Sequence, residues 1–219
     1  MINQINVGVI GTGWCGGIRA NACADNPLVD KLYIAESNKE RLQELKKSLK
    51  LESSTDNWNE LIDNKNIDTI IISATPETTH FPMALAALKA GKNVMCTVPM
   101  STSIEECKQI VGLVKETGLK YMMAETVVYS REFLFIKEMY EKGEMGNIQF
   151  MQASHPQDME GWPEYWEKMI PMHYATHVVS PVLGLVDGKA EYVSSFGSGS
   201  VNDDIAKKSN NSYSMWFFL

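Results

Sequence analysis

Apolar and polar positions alternate along residues 1–125 in a repeating strand–helix pattern. Short apolar runs predict buried parallel strands, and apolar positions three and four residues apart predict the helices between them. The predicted strands are 5–10, 31–35, 67–73, 93–97 and 119–124. The predicted helices are 18–25, 38–49, 57–63, 81–90 and 103–116. This alternation predicts an α/β fold with a doubly wound parallel sheet and right-handed crossovers.

The pattern changes after residue 125. The elements predicted there are helices at 130–141 and 172–185 and strands at 148–154, 190–197 and 212–219. A loop rich in Pro, Gly and Trp at 155–171 predicts either an aromatic surface that stacks on sugar rings or a lid packed on the core. We therefore predict two domains, 1–125 with the parallel sheet and 126–219 with an α+β arrangement.

Side chains at two helix starts have the pattern of caps. Ser37 or Asn38 is placed to cap the helix over 38–49. Ser103 and Glu106 have the spacing of a capping box at the start of the helix over 103–116.

A glycine turn joins the first strand to the first helix. Gly11 permits a tight turn, Gly13 lets the backbone approach a pyrophosphate, and Gly16 lets the helix pack close to the strand. Glu36 ends the second strand, where its carboxylate can accept hydrogen bonds from the adenosine ribose. This arrangement predicts a dinucleotide-binding Rossmann domain, and the alternative is a glycine-rich turn in another α/β protein. The candidate cofactor contacts in the turn also include Thr12, Trp14 and Cys15.

Glu36 also bears on the choice of cofactor. Its charge would repel a 2′-phosphate, so we predict NAD rather than NADP. Arg41 and Lys39 lie close enough in sequence to weaken that preference.

Loops that follow the later strands are expected to face the cofactor, because ligands bind beyond the carboxyl ends of parallel strands. The candidates there are Ala74, Thr75, Pro76, His80, Val98, Pro99 and Glu125. His80 has an alternative interpretation as a helix-capping or packing residue, and Glu125 as a structural cap.

Composition and charge narrow the function classes. The net charge of −7 argues against a nucleic-acid partner. No apolar stretch reaches the length of a membrane span, and the chain begins without a charged and apolar leader, so we expect a cytoplasmic protein without a membrane partner. The four cysteines form no CxxC pair and predict free thiols.

Four motifs together resemble the glucose–fructose oxidoreductase / inositol dehydrogenase (Gfo/Idh/MocA) family. They are the glycine turn with Glu36, the segment from Thr75-Pro76 to His80, Thr97-Val98-Pro99, and the segment from His173 to His177. The resemblance covers essentially the whole chain. It implies a Rossmann domain followed by an α+β domain with an open, mostly antiparallel sheet. It also implies a homo-oligomer, a dimer or tetramer, that pairs through one face of that sheet.

The chain departs from the family pattern in three places. The family's lysine at the nicotinamide falls on Val98, and its usual active-site acid falls on His173. Family members continue with more strands, so the second domain is expected to be incomplete relative to the family. Val98 with a Tyr-x-Thr-His helix start resembles the branch that contains NAD-dependent glycosidases.

The candidate acid–base residues lie at the start of the helix over 172–185. With Val98 in the lysine's place, we expect His177 to be the base, because an imidazole titrates near neutral pH. Tyr174 is the second candidate, and its phenol would need a neighbouring cation to lower its pKa. His173 is that neighbour or a substrate-binding group. Ordinary packing at a helix start is the alternative. His173 and His177 lie one turn apart, but no third ligand is evident, so we predict no metal.

Three functions fit these residues. The first is an NAD-dependent oxidoreductase that acts on a sugar, cyclitol or related polyol. The second is a glycosidase or lyase that uses NAD as an internal redox catalyst. The third is a non-catalytic NAD-binding regulatory protein.

Overall fold

The structure is a computed structural model that describes residues 4–156, 161–162, 174–186, 189–197 and 215–218. The chain divides into two units, residues 1–124 and 125–219. Most of the predicted loop at 155–171, together with residues 172–173 and 212–214, lies outside the described residues. None of the described helices is long and apolar enough to cross a bilayer.

Strands and helices alternate through the first unit. Its strands are β1 (Ile5–Ile10), β2 (Val29–Ala35), β3 (Ser53–Thr55), β4 (Thr69–Ile72), β5 (Asn93–Cys96) and β6 (Tyr121–Met123). Its helices are α1 (Trp14–Ala24), α2 (Lys39–Ser48), α3 (Trp58–Asp63), α4 (His80–Lys89) and α5 (Ile104–Thr117).

The six strands form one parallel sheet in the order β3-β2-β1-β4-β5-β6. The chain runs outward from β1 to β3, then returns to the other side of β1 and continues from β4 to β6. The order therefore reverses between β1 and β4, which is where open α/β sheets bind their ligands. The predicted doubly wound parallel sheet is confirmed.

Both faces of the sheet are buried. Neighbouring residues on one strand point to opposite faces, so they belong to different core clusters. Ile70 and Ile72 belong to a core cluster with residues of α3, α4 and α5. Ile71, between them, belongs to a second cluster with Ala20 of α1 and Leu42 of α2. This two-sided burial explains why β4 is a continuous apolar run.

Two helix starts differ from the sequence-based predictions. Helix α1 begins at Trp14, whereas the sequence pattern predicts a start at residue 18. The pattern does not reveal the first turn, because that turn contains Gly16 and has no apolar periodicity. At α5 the predicted capping box is wrong: the Ser103 side chain makes no capping hydrogen bond. Instead, the Ser101 hydroxyl contacts the Glu106 carboxylate and accepts a hydrogen bond from the Ser103 N–H.

The second unit contains helices α6 (Arg131–Glu141) and α7 (Thr176–Val186) and strands β7 (Ser194–Gly197) and β8 (Met215–Phe218). Strands β7 and β8 pair antiparallel. The predicted strand over 148–154 is wrong, since those residues are described and belong to no strand. A strand needs hydrogen bonds to a neighbouring strand, and an alternating pattern alone does not supply that neighbour.

Candidate active site and cofactor site

The glycine turn between β1 and α1 leaves no room for a side chain at Gly11 or Gly16. Gly11 has a φ of +78°, and its N–H donates to the carbonyl oxygen of Ala35 at 2.9 Å. A Cβ atom on Gly16 would collide with the carbonyl oxygen of Gly11. The first turn of α1 is thereby held against the end of β1, with its N-terminal N–H groups available to an anion.

Glu36 holds its carboxylate beside this turn. The side chain is 9% exposed. Its Oε2 accepts hydrogen bonds from the Thr12 N–H at 2.7 Å and the Thr12 hydroxyl at 2.5 Å. Its Oε1 accepts from the Asn38 N–H at 2.9 Å. These bonds fix a negative charge at the end of β2.

These residues fit a bound dinucleotide. The turn offers backbone rather than side chains where a pyrophosphate would lie, and the carboxylate stands where a ribose would be recognised. Of the other turn residues proposed as contacts, Gly13 and Trp14 are exposed and Cys15 is half-buried. Arg41 donates from Nε to the Thr12 carbonyl oxygen at 3.2 Å and pairs with Glu44.

His80 connects the two loops that follow β4 and β5. It is 2% exposed, and its ring nitrogens lie 2.8 Å from the Pro99 carbonyl oxygen and 3.0 Å from that of Ala74. A neutral ring can donate to one of these oxygens and an imidazolium to both. His80 therefore links the loops internally, as its packing interpretation anticipated.

The remaining loop candidates differ in exposure. Thr75 and Pro76 are exposed, Ala74 is half-buried, and Pro99 is buried. Val98 is 5% exposed. An apolar, buried side chain at this position cannot donate or accept a proton.

The second unit contains a cluster of acid–base groups around His177. Its Nδ1 lies 2.6 Å from Oε1 of Glu125, and the two side chains are 8% and 3% exposed. The Val127 N–H donates to the same Glu125 oxygen at 3.1 Å. Burial would raise the pKa of Glu125, but the hydrogen bonds from His177 and Val127 outweigh it, so the pKa lies below its ordinary value.

Two aromatic rings contact His177. The Tyr174 ring meets it edge-on with 4.4 Å between centroids, and the His155 ring lies 4.9 Å away. His155 and Tyr174 also contact each other, at 5.4 Å. Partial burial lowers the pKa of His155, and electrostatic interaction with His177 acts in the same direction, while Glu125 acts in the opposite direction.

Sequence reasoning did not identify His155 as a site residue. Its one signal was its position, directly after an apolar segment and at the start of the aromatic loop. His173, predicted as part of the cluster, lies outside the described residues. Within the described part of the chain, no group of three His, Cys, Asp or Glu side chains is placed to hold a metal ion.

The sheet order, the glycine turn and the carboxylate at the end of β2 define a Rossmann dinucleotide-binding protein. Residues 5–125 match the Gfo/Idh/MocA family, described as an oxidoreductase family with an NAD-binding Rossmann fold. The chain belongs to this family, and the predicted membership and NAD cofactor are confirmed.

Known relatives include sugar-processing proteins. The chain is 31% identical to a levoglucosan dehydrogenase from Pseudarthrobacter phenanthrenivorans, over 74% of this chain and 43% of that protein. It is 32% identical to an alpha-N-acetylgalactosaminidase from Shewanella oneidensis, over 57% of this chain and 30% of that protein. The chain thus spans less than half the length of these relatives.

A solved structure has the same fold. A probable dehydrogenase from Thermotoga maritima superposes with a TM-score of 0.77 and 23% sequence identity, over 93% of this chain and 61% of that chain.

Proposed function

We propose that the protein is an NAD-dependent oxidoreductase that transfers a hydride between nicotinamide and a carbinol carbon of a sugar, cyclitol or related polyol. The observation that carries the proposal is the nearly buried His177, in ring contact with Tyr174 and His155, in a chain of an NAD-binding oxidoreductase family. The levoglucosan dehydrogenase relative supports a sugar as substrate.

His177 is the proposed base. In the oxidative direction it takes the proton from the substrate hydroxyl, and the carbon becomes a carbonyl as its hydride leaves. NAD supplies the hydride acceptor when it is bound. Tyr174 is the second candidate for the proton, and its contact with His177 supports a role in holding that ring. Val98 is buried and apolar and cannot act as a base, which supports a base contributed by the second unit.

The proposed cofactor preference is NAD over NADP. The carboxylate of Glu36 is fixed by Thr12 and Asn38, and a fixed negative charge there disfavours a 2′-phosphate. Arg41 is engaged with the Thr12 carbonyl oxygen and Glu44, which limits its freedom to bind such a phosphate.

A glycosidase that retains NAD is the second candidate. The alpha-N-acetylgalactosaminidase relative and the buried Val98 favour it. Such an enzyme oxidises the sugar transiently and reduces it again, so it makes no net NADH.

Two assays on the same protein separate these functions. In the first, the protein is mixed with NAD and levoglucosan, then with a panel of hexoses and cyclitols, and NADH absorbance is followed. In the second, it is mixed with a nitrophenyl N-acetylgalactosaminide and release of nitrophenol is followed. NADH formation supports the oxidoreductase, and nitrophenol release without NADH supports the glycosidase. NAD binding without either product would leave the regulatory alternative.

We also propose that the protein is a homo-oligomer. Exposed apolar side chains of the second unit, among them Phe135 on α6 and Phe150, support contact with a further protein surface. Native mass spectrometry gives the number of chains, and it also shows whether NAD copurifies. A mass equal to one chain at working concentrations would contradict the oligomer.

A further inference from the structure

Glu125 and His177 are 52 residues apart in sequence and form a nearly buried hydrogen bond in the second unit. Their side chains are 3% and 8% exposed, and Nδ1 lies 2.6 Å from Oε1. A hydrogen bond with a charged partner, shielded from water in this way, is among the stronger ones that proteins form.

The direction of this bond follows from the chemistry of its two groups. An ionised carboxylate can only accept hydrogen bonds, so the proton must lie on Nδ1 of His177. A neutral imidazole has one proton, and Nε2 then carries the free lone pair. The carboxylate is itself held in place, since the Val127 N–H donates to the same oxygen.

The other neighbours of His177 constrain it differently. His155 and Tyr174 lie against the ring at 4.9 Å and 4.4 Å between centroids. Contacts of this kind hold the plane of a ring. The hydrogen bond to Glu125 selects which nitrogen of His177 holds the proton.

We propose that Glu125 is a positioning residue that fixes His177 as the Nδ1–H tautomer, so that Nε2 is the atom that accepts the substrate proton. The inference rests on the proposed function, in which His177 is the base. It gives Glu125 a different task from the one expected of it, contact with the cofactor. A carboxylate in this place also stabilises the imidazolium that forms when Nε2 takes the proton.

The first test observes the tautomer directly. The protein is prepared with ¹⁵N-labelled histidine, and two-bond ¹H–¹⁵N spectra distinguish the protonated from the free ring nitrogen. The chain has four histidines, and His177→Gln identifies the signals of His177. We expect the proton on Nδ1 in the native protein. In Glu125→Gln we expect a mixture of tautomers, because an amide can donate as well as accept.

A matched control removes the same charge elsewhere in the second unit. Glu144 is exposed, so Glu144→Gln should leave the His177 spectrum unchanged. A proton on Nε2 in the native protein would overturn the inference, and so would an unchanged tautomer in Glu125→Gln. Circular dichroism of each variant shows that the fold is retained. Should Glu125→Gln not fold, the spectrum of the native protein still decides the question.

The second test uses turnover with whichever substrate the assays identify. Glu125→Gln should lower kcat about ten-fold or more while KM stays within about two-fold, because a wrong tautomer impairs the proton transfer rather than binding. Full kcat in this variant would overturn the inference and leave the proposed function intact. Absence of turnover in the native protein, together with the expected tautomer, would overturn the proposed function and leave the positioning role of Glu125.

Discussion

His80 shows how one buried side chain can tie two loops together. Its ring nitrogens face the carbonyl oxygens of Ala74 and Pro99, which lie in the loops after β4 and β5. A buried carbonyl that loses its partner costs about 1–3 kcal/mol. The residue is thus a structural support for the loops that are proposed to contact the cofactor.

We predict that His80→Ala lowers the free energy of unfolding by about 1–3 kcal/mol, because at least one buried carbonyl oxygen loses its partner. NAD affinity should fall as well, since the loops are no longer joined. Urea unfolding and calorimetric titration with NAD measure the two effects. Thr78→Ala changes an exposed residue near the same loop and should leave both values unchanged. An unaltered unfolding midpoint in His80→Ala would contradict this role.

His177 gives a second prediction at the scale of the residue. Its substitution by alanine should lower turnover by about 100-fold or more, the contribution expected of a general base. NAD affinity should stay within about two-fold of the native value, because the glycine turn and Glu36 are untouched. NADH formation and calorimetry measure these quantities. Full turnover in His177→Ala would remove His177 from the mechanism.

At the scale of the element, the start of α1 depends on a contact that only glycine allows. A Cβ on Gly16 would meet the carbonyl oxygen of Gly11, whereas a Cβ on Gly112, in the middle of α5, would meet nothing within 4 Å. Both residues lie within helices, so the same substitution at each distinguishes an effect of packing from an effect of helix propensity.

We predict opposite outcomes for the same substitution at these two glycines. Gly16→Ala should destabilise the protein by about 1–3 kcal/mol, because the helix is pushed away from β1, and should weaken NAD binding. Gly112→Ala should stabilise it by about 0.5–1 kcal/mol, since alanine is the better helix former. Chemical unfolding of the two variants beside the native protein decides this. Equal effects at both sites would show that the close approach at Gly16 does not constrain the helix.

The start of α5 offers a second comparison between neighbouring residues. Ser101 accepts from the Ser103 N–H and contacts Glu106, while the Ser103 hydroxyl makes no capping bond. Ser101→Ala should therefore cost about 1 kcal/mol of unfolding free energy, as loss of a cap does. Ser103→Ala should change it by less than about 0.5 kcal/mol. Thermal or urea unfolding measures both, and the reverse order would restore the capping box that the sequence predicted.

At the scale of the whole molecule, two groups of the second unit couple folding to pH. The pKa of Glu125 lies below its ordinary value of 4.5, and that of His155 below its ordinary value of 6.5. In both cases the unfolded chain binds a proton that the folded chain does not, at pH values between the lowered and the ordinary pKa. Stability therefore rises with pH across each interval.

We predict that these two groups leave the free energy of unfolding unchanged above the ordinary pKa of His155 and lower it as the pH drops below that value. A second decrease begins below the ordinary pKa of Glu125 and ends as the pH passes the lowered value in the folded protein. Urea unfolding at a series of pH values measures the profile. His155→Gln should remove the upper step and Glu125→Gln the lower one. A profile that both variants leave unchanged would assign the dependence to other groups.

The sequence by itself determined the parallel sheet, its strand–helix alternation and the glycine turn with Glu36. These features are local: periodicity, β-branched runs and glycines act within a few residues of one another, so they can be read without knowing the path of the chain. Local reasoning was wrong where a partner was needed. It paired Ser103 with Glu106 at the start of α5, where Ser101 makes that contact instead, and it predicted a strand over 148–154, which pairs with no strand in the described part of the chain.

Only the tertiary structure decided which side chains meet. Glu125 contacts His177, 52 residues away, and His80 reaches Pro99, 19 residues away. His155 joins Tyr174 and His177, although its position at the start of the aromatic loop does not specify these partners. Contacts of this kind depend on where the chain returns after many residues. The spacing of residue types does not specify that return path. The path is decided when the whole unit folds.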